Sequence, residues 1–251
     1  MRKGLGELYM ADYNPWHGCH KISSGCLNCY MFRRDSNHGI DSNIVKKTKS
    51  FNMPIRKNRD GTYKYQNEVM WTCFTSDFFI DEADEWRGEV WEMMKERSDL
   101  DFFIITKRPH RIRACLPSDW GDGYPNVTIF ITCENQEMAD KRIPIYLELP
   151  IKYKGICCEP FITEIDIEKY LDGRINEVIA GGESGNEARQ LDYNWVLKLR
   201  EQCIKTGTIF VFRQTGARLF KDGKLYRILR KHQIPQARKA NINVGKTRFN
   251  G

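Results

Sequence analysis

Short apolar runs rich in β-branched and aromatic residues recur along the chain at a nearly constant interval, and this spacing restricts the fold most strongly. Six runs are typical of strands, and their starts lie 32, 25, 25, 25 and 32 residues apart. Each interval has room for one strand, one helix and two turns, which predicts an α/β fold with parallel strands. The predicted strands are Val69–Thr75, Asp101–Thr106, Asn126–Thr132, Ile151–Cys157, Asn176–Ala180 and Thr208–Arg213, with a weaker candidate at Glu7–Tyr13.

Amphipathic stretches occupy the intervals between these strands. Residues Asp81–Arg97 carry an apolar stripe at helical spacing, with acidic residues in the first turn, where the helix dipole favours them. Residues Asp192–Lys205 have a similar stripe, and Gly207 follows as a stop signal. About six or seven consecutive strand–helix units without a long linker predict one partial (βα) TIM-like barrel. An open doubly wound sheet is the alternative.

Composition excludes a disordered or membrane-spanning chain. The sequence is 41% apolar and 29% charged, with a mean hydropathy of −0.59, and no apolar run approaches the roughly 18 residues of a membrane span. The N-terminal segment lacks the apolar stretch of an export signal, and the nine cysteines are an odd number for a disulfide framework. We therefore expect a cytoplasmic protein with reduced thiols and no membrane association.

The positive charge is concentrated near the C-terminus. The formal net charge is +7, and residues 213–248 contain eleven Lys or Arg residues against one acid. We expect residues 1–217 to form the barrel and residues 218–251 to form a basic extension that binds DNA or RNA; a solvated tail is the alternative. A second basic stretch, residues 46–65, interleaves cations with aromatic rings, which suits unpaired nucleotides and equally an ordinary exposed loop.

Three cysteines lie within eleven residues near the N-terminus. Cys19, Cys26 and Cys29 have the spacing C-x6-C-x2-C, which allows three kinds of site. The first is structural zinc, with His17 or His20 as a fourth ligand. The second is a redox dithiol formed by Cys26 and Cys29 alone. The third is an iron–sulfur cluster in which one iron lacks a protein ligand. Spacing alone does not separate zinc from iron–sulfur.

Polar residues directly follow all six predicted strands, at the edge where α/β proteins bind ligands. A structural turn needs only Gly, Asn or Asp, so six such ends together predict a lined pocket. These ends are Thr75-Ser76-Asp77, Thr106-Lys107-Arg108, Thr132-Cys133-Glu134-Asn135, Cys158-Glu159-Pro160, Gly181-Gly182-Glu183-Ser184-Gly185 and Arg213-Gln214-Thr215.

Motifs along nearly the whole chain resemble one family. They are NPWHGCHKISSGCLNCY at residues 14–30, followed by CFTSDFF, ITKRP, GGESGNEAR and FRQTGA. They are similar to a family of phage and bacterial proteins of unknown function, known by its three-cysteine motif and regarded as radical-S-adenosylmethionine-like. The superfamily's commonest spacing, C-x3-C-x2-C, has a shorter first gap. Asn14-Pro15 and Thr106-Lys107 are also similar to spore photoproduct lyase and its relatives, which act on damaged pyrimidines in DNA.

The resemblance implies a barrel of the radical S-adenosylmethionine type, with the cluster-binding loop at residues 14–30. Cys19, Cys26 and Cys29 would hold a [4Fe-4S] cluster, whose fourth iron chelates S-adenosylmethionine. An external electron donor would reduce the cluster, and cleavage of the sulfonium would yield a 5′-deoxyadenosyl radical. The superfamily often carries a Gly-Gly-Glu-Pro motif that binds the methionyl amine; here Asp77 stands in that place.

The other strand-end residues are expected to contact the cofactor or substrate. Cations at one strand end suit a carboxylate or phosphate, and a glycine pair lets a ligand approach the backbone. We expect Cys158 to donate a hydrogen atom to a substrate radical, with Cys157 on the opposite side of the strand. The expected catalytic residues are Cys158 and Glu159, and the expected cofactor-binding residues are Tyr30, Thr75, Ser76, Asp77, Thr106, Lys107, Arg108, Thr132, Glu134, Gly181, Gly182, Glu183 and Ser184.

Together these features predict an oxygen-sensitive radical S-adenosylmethionine enzyme that repairs or modifies a nucleic-acid base or nucleotide. A small-molecule substrate and joint action with a separate partner protein stay open. The alternative is a non-enzymatic nucleic-acid-binding protein with a structural zinc site.

Overall fold

Seven parallel strands form the central sheet in the computed structural model of the protein, which describes residues 9–248. Five further short strands and six α-helices complete the described part. The strands are β1 (Tyr9–Tyr13), β2 (Trp16–His17), β3 (Lys46–Lys47), β4 (Glu68–Thr72), β5 (Asp101–Thr106), β6 (Val127–Thr132), β7 (Lys154–Cys158), β8 (Glu177–Gly181), β9 (Leu191–Asp192), β10 (Ile209–Gln214), β11 (Arg218–Lys221) and β12 (Lys224–Arg227). The helices are α1 (Tyr30–Asn37), α2 (Asp84–Glu96), α3 (Pro109–Cys115), α4 (Gln136–Leu147), α5 (Tyr193–Thr206) and α6 (Arg230–Ala240).

The order of the sheet is β1-β4-β5-β6-β7-β8-β10, and every neighbouring pair is parallel. The order follows the chain without reversing, and the sheet curls into half of a barrel with β1 and β10 at its edges. A doubly wound sheet would reverse its strand order near the middle. The predicted partial (βα) barrel is therefore confirmed.

The predicted strands and helices form with small shifts at their ends. The predicted strand Val69–Thr75 ends early, at Thr72, because Cys73 has a left-handed φ of 62° and turns the chain. Gly207, with a φ of 70°, ends α5 as its sequence position indicates. The first two residues of the candidate strand at Glu7–Tyr13 lie outside the described residues. The regular spacing of the apolar runs therefore predicted the positions of the sheet strands to within a few residues.

Alternate residues of the strands face two apolar layers. The outer layer packs against the helices and contains most of the core. The inner layer fills the concave side, and Gly155 makes room there, because a Cβ on this residue would clash with the ring of Phe130. The buried residues of the inner layer are Val69, Phe103, Phe130, Cys157, Ile179 and Val211.

Residues 218–248 are folded onto the barrel. Strand β11 pairs with β9 and β12, and α6 packs against β10, where it buries Ala237. Val244 then forms an isolated bridge with Phe210, and the guanidinium of Arg248 donates to Asp101 Oδ1 at 2.8 Å. Most cations of residues 218–248, the basic C-terminal segment, therefore lie on β11, β12 and α6. No helix within residues 9–248 combines the length and the apolar character that crossing a membrane requires.

The buried carboxyl group of Glu177 should make the stability of the fold depend on pH. Its carboxylate is buried at the start of β8 and accepts hydrogen bonds from the hydroxyls of Tyr153 (3.0 Å) and Thr247 (2.9 Å). Burial raises the pKa of Glu177, and these hydrogen bonds oppose the shift only in part. A raised folded-state pKa means that the contribution of Glu177 to stability is complete below the unfolded pKa and is lost as pH rises through the folded pKa. Glu177→Gln should therefore gain stability over the wild type as pH rises from about 4 to about 7 in urea unfolding; parallel pH profiles would contradict this.

Candidate functional site

The cysteine loop, residues 14–30, leads from β1 through the short strand β2 to the start of α1. It crosses the carboxyl ends of several sheet strands. The amide of Gly18 donates to the carbonyl of Thr75, beyond β4, at 3.2 Å. Gly18 has a φ of +103°, and a Cβ there would collide with the backbone of Ile44, so only glycine fits. The guanidinium of Arg108, beyond β5, donates to the carbonyl of His20 at 3.1 Å. The loop is thus fixed by the strand ends it covers.

Asp77 joins this first part of the loop to β5. Its carboxylate accepts hydrogen bonds from the Thr106 hydroxyl (2.7 Å) and the Lys107 amide (3.1 Å), and it pairs with Arg108 at 3.0 Å. The same guanidinium lies 3.9 Å from the sulfur of Cys19. Asp77 therefore orients the cation that faces the first thiol.

Glu134, beyond β6, holds the middle of the loop. Its Oε1 accepts a hydrogen bond from the Gly25 amide at 3.1 Å, and its Oε2 accepts one from Arg142 of α4 at 2.7 Å. A Cβ on Gly25 would lie 2.8 Å from the Glu134 carboxyl carbon, so this approach requires glycine. Burial acts to raise the pKa of Glu134, but Arg142, Ser23 and Lys107 outweigh it and lower that pKa. Glu134 is therefore a buried, ionised anchor.

Glu183, beyond β8, holds the last part of the loop in the same way. The Asn28 side chain donates to Glu183 Oε2 at 3.0 Å, and Arg189 binds both carboxylate oxygens at 2.6 and 3.0 Å. Arg189 also donates to the carbonyl of Ser24 at 2.9 Å. Burial opposes ionisation, but these partners lower the pKa of Glu183. The carboxylates of Asp77, Glu134 and Glu183, expected to bind cofactor, are thus already occupied by protein groups.

The three thiols line one small cavity, of about 90 Å³, under this loop. Cys19, Cys26 and Cys29 are all half-buried, and none forms a disulfide. Burial, and next the charge of Asp77, raises the pKa of Cys19 to about 11, while Arg108 acts in the opposite direction. A ligand that takes Cys19 as a thiolate must therefore displace its proton.

Lys107 and the first turn of α1 lie beside the other two thiols. Burial acts to lower the pKa of Lys107, but the negative charges of Cys26, Glu134 and Cys29 outweigh it and raise that pKa. The ammonium therefore stays protonated beside the thiols. Cys29 directly precedes α1, where the helix dipole also stabilises a negative charge.

The donor set at this position consists of three thiols. His17 Nε2 lies 2.7 Å from Asp35 Oδ2, and His20 pairs with Glu82, so both candidate zinc ligands have carboxylate partners. Within residues 9–248, no group of three or more His, Cys, Asp or Glu side chains is arranged to hold a metal ion. Three thiolates are, however, a set that iron–sulfur clusters use, with ligands on separate irons.

A larger cavity, of about 430 Å³, adjoins the thiols at the mouth of the barrel, and we call it the barrel cavity. This volume falls within the roughly 300–1,000 Å³ of small-molecule sites. Four buried side-chain oxygens in the described part of the chain have no hydrogen-bond partner, and three of them belong to Thr75, Thr132 and Glu159, which line this cavity. Buried polar atoms are usually paired, so these atoms indicate a ligand. The two cavities share Cys29, Phe74, Ser76, Ile105, Lys107 and Thr132.

Three arginines also line the barrel cavity. Arg213 Nη1 lies 3.6 Å from Glu159 Oε2, and Arg230 donates to the Gln214 side chain at 2.9 Å. Arg34 comes from α1, and Arg230 comes from the basic C-terminal segment. Arg213 was expected at a strand end, whereas Arg34 and Arg230 were not expected at the site. Both lie on helices, and the sequence position of a helix residue does not indicate which cavity its side chain reaches.

A family model described as "Protein of unknown function (DUF5131)" matches residues 7–245. The chain belongs to this family. No curated protein and no solved structure matches the chain. The family description states no activity, so a function has to be argued from the site itself.

In this DUF5131 protein, Cys157 faces the barrel cavity and Cys158 faces the helices. The expectation that Cys158 reaches the site is therefore wrong. Side chains alternate along β7, and Cys158 packs into the outer core while Cys157 shares the concave side with Phe130. Burial raises the pKa of Cys157 to about 12. Alternation correctly separated the two cysteines, but it did not reveal which of them faces inward.

The remaining predicted residues either line the barrel cavity or allow close packing beside it. Gly181 and Gly182 do not line the barrel cavity, but they allow close packing at its edge. A Cβ on Gly181 would lie 2.7 Å from Glu159 Oε2, and one on Gly182 would collide with the Thr215 carbonyl. Predicted residues that do line the barrel cavity are Tyr30, Thr75, Ser76, Lys107, Thr132, Glu159 and Ser184.

Removing Glu134 tests its role as the anchor of the DUF5131 cysteine loop. Glu134→Ala leaves the buried guanidinium of Arg142 without its partner, which should cost about 3–5 kcal/mol of unfolding free energy in chemical denaturation. The Gly25 amide also loses its acceptor, so Cys26 should react faster with a thiol reagent. The double variant Glu134→Met, Arg142→Met should regain stability, because no buried charge is left unpaired. Wild-type stability and thiol reactivity in Glu134→Ala would contradict the anchor role.

Proposed function

We propose that this protein is a radical S-adenosylmethionine enzyme whose loop holds a [4Fe-4S] cluster. Cys19, Cys26 and Cys29 would each bind one iron as thiolates, which leaves one iron without a protein ligand. When bound and reduced, the cluster supplies the electron that cleaves S-adenosylmethionine into methionine and a 5′-deoxyadenosyl radical. The observation that carries the proposal is the joint position of three thiols and three buried side-chain oxygens without hydrogen bonds around two adjoining cavities.

The walls of the barrel cavity supply groups that suit this cofactor. Thr75 and Thr132 offer hydroxyls without hydrogen-bond partners, and Glu159 offers a carboxylate oxygen that has an ion pair with Arg213 but no hydrogen bond, which suits an ammonium group or ribose hydroxyls. The ring of Tyr30 is 45% exposed beside Cys29, where the proposal assigns it to the adenine. The aromatic rings of the inner layer exclude water below the cavity, which protects a radical from side reactions.

The proposed substrate is a nucleic-acid base or nucleotide, which the enzyme would repair or modify. Support comes from the three cations of the barrel cavity, Arg34, Arg213 and Arg230, since guanidinium groups bind phosphates well. Arg230 connects this cavity with the basic C-terminal segment, which we propose as the DNA- or RNA-binding part. An external electron donor, a cytoplasmic location and a contribution from a separate partner protein belong to the same proposal.

Anaerobic purification followed by an assay for 5′-deoxyadenosine tests the proposal. The wild type should contain about four iron and four sulfide ions per chain, and it should form 5′-deoxyadenosine after chemical reduction. Cys26→Ser should lose both properties and keep the wild-type circular dichroism, because a loop ligand contributes little to the barrel core.

The matched control is Cys115→Ser, which makes the same atomic change at the end of α3, outside both cavities. It should keep the iron and the activity. About one zinc ion per chain without visible absorbance would contradict the proposal and support the zinc-stabilised nucleic-acid-binding alternative.

A further inference from the structure

An open groove of about 800 Å³ lies between the β11–β12 hairpin, α6 and the start of α5. Its floor is aromatic: Phe212 is buried, and Tyr193 packs against it with ring centroids 6.1 Å apart. Tyr226 and Leu229 line the groove and are 41% and 67% exposed, and Lys224 Nζ lies 5.6 Å from the centroid of the Tyr226 ring. A concave surface with exposed apolar side chains indicates a binding partner.

The rim of this groove is basic. Lys221, Arg227 and Lys239 line it, and its lining includes no carboxylate. Two acids lie nearby: Asp222 pairs with Lys221 at 3.6 Å and has 82% of its side chain exposed, and Asp192 caps α5 by accepting from the amide of Asn194 at 2.8 Å. The ammonium of Lys221 also lies over the ring of Tyr193, 5.3 Å from its centroid. The groove therefore combines cations with aromatic faces and suits an anionic, flat-ringed partner.

We propose that this groove binds an unpaired segment of nucleic acid. Rim cations would neutralise phosphates, and the exposed face of Tyr226 would stack on a base, which is the combination used by sequence-tolerant single-strand sites. Duplex nucleic acid keeps its base faces stacked, so it leaves Tyr226 without a partner. An acidic peptide would use the cations alone. The inference rests on the proposed function, because it specifies the class of nucleic acid that reaches the barrel.

The groove and the barrel cavity lie on opposite sides of β10 and share no lining residue, but they border the same segments of the chain. Leu229 lines the groove, and the next residue, Arg230, lines the cavity. On β10, Phe212 faces the groove and Arg213 faces the cavity. A strand in the groove would therefore lie beside the segments of β10 and α6 that border the cavity.

The aromatic residues of the second basic stretch, residues 46–65, are less exposed than Tyr226. Phe51 is buried with Lys47 over its ring at 4.1 Å, and Tyr63 is covered by Arg97 at 3.9 Å. We therefore assign the single strand to the groove and not to this stretch.

Charge reversal at the rim tests the phosphate contacts. The double variant Lys221→Glu, Lys239→Glu should bind a fluorescent twelve-nucleotide single strand about 10-fold or more weakly in anisotropy titrations, and the slope of log K against log salt should fall by about 1.4. The control Lys141→Glu, Lys152→Glu makes the same change of net charge at exposed residues that do not line the groove, and it should bind as the wild type does. Equal losses in both variants, or no binding by the wild type, would overturn the proposal.

Substitution of Tyr226 tests the stacking contact. Tyr226→Ala should weaken single-strand binding by roughly 5- to 150-fold, whereas Tyr226→Phe keeps the ring and should retain wild-type affinity. Unchanged affinity in Tyr226→Ala, or displacement of the labelled strand by polyglutamate or duplex as readily as by unlabelled single strand, would overturn the proposal. Cys26→Ser should bind the strand normally, so a failure of the cluster proposal and a failure at the groove are separate results.

Discussion

Three carboxylate–guanidinium pairs hold the cysteine loop over the mouth of the barrel. Each carboxylate follows a different sheet strand and is almost completely buried, so its desolvation is costly unless several hydrogen bonds offset it. Each one receives such bonds from its arginine and from amide or hydroxyl groups of the loop and strand ends. The pairs are Asp77–Arg108 at 3.0 Å, Glu134–Arg142 at 2.7 Å and Glu183–Arg189 at 2.6 Å.

Because of these pairs, the strand ends of the sheet determine where the three thiols lie. A loop of this length on a barrel surface would otherwise adopt many conformations, and a ligand would have to order it on binding. Because the loop is already fixed, the three thiols face one cavity before any ligand arrives. The adjoining hydroxyls of Thr75 and Thr132, which have no hydrogen-bond partner, each cost about 1–3 kcal/mol when no partner is present. Such local costs are typical of functional sites, and a polar ligand in the barrel cavity would offset them.

The sequence was informative wherever a periodic or clustered pattern determines the structure. The interval between apolar runs located the strands, and the short spacing of Cys19, Cys26 and Cys29 located the thiol cavity. It failed where the answer depends on tertiary packing. Strand alternation places Cys157 and Cys158 on opposite faces, but the curl of the sheet decides which of them faces inward. The same holds for the strand-end carboxylates: Glu134 was predicted at the site, but its partner Arg142 lies on a helix that no local signal connects to the loop.

We propose above all that the three thiols hold a cluster with one open iron beside a cofactor cavity. Electron paramagnetic resonance of the reduced, anaerobically purified protein, recorded with and without S-adenosylmethionine, tests this claim most directly. We expect the signal of a reduced [4Fe-4S] cluster whose g-values shift when the cofactor is added, because the cofactor would bind the open iron. A cluster signal that saturating cofactor leaves unchanged, or the absence of a cluster signal, would contradict it.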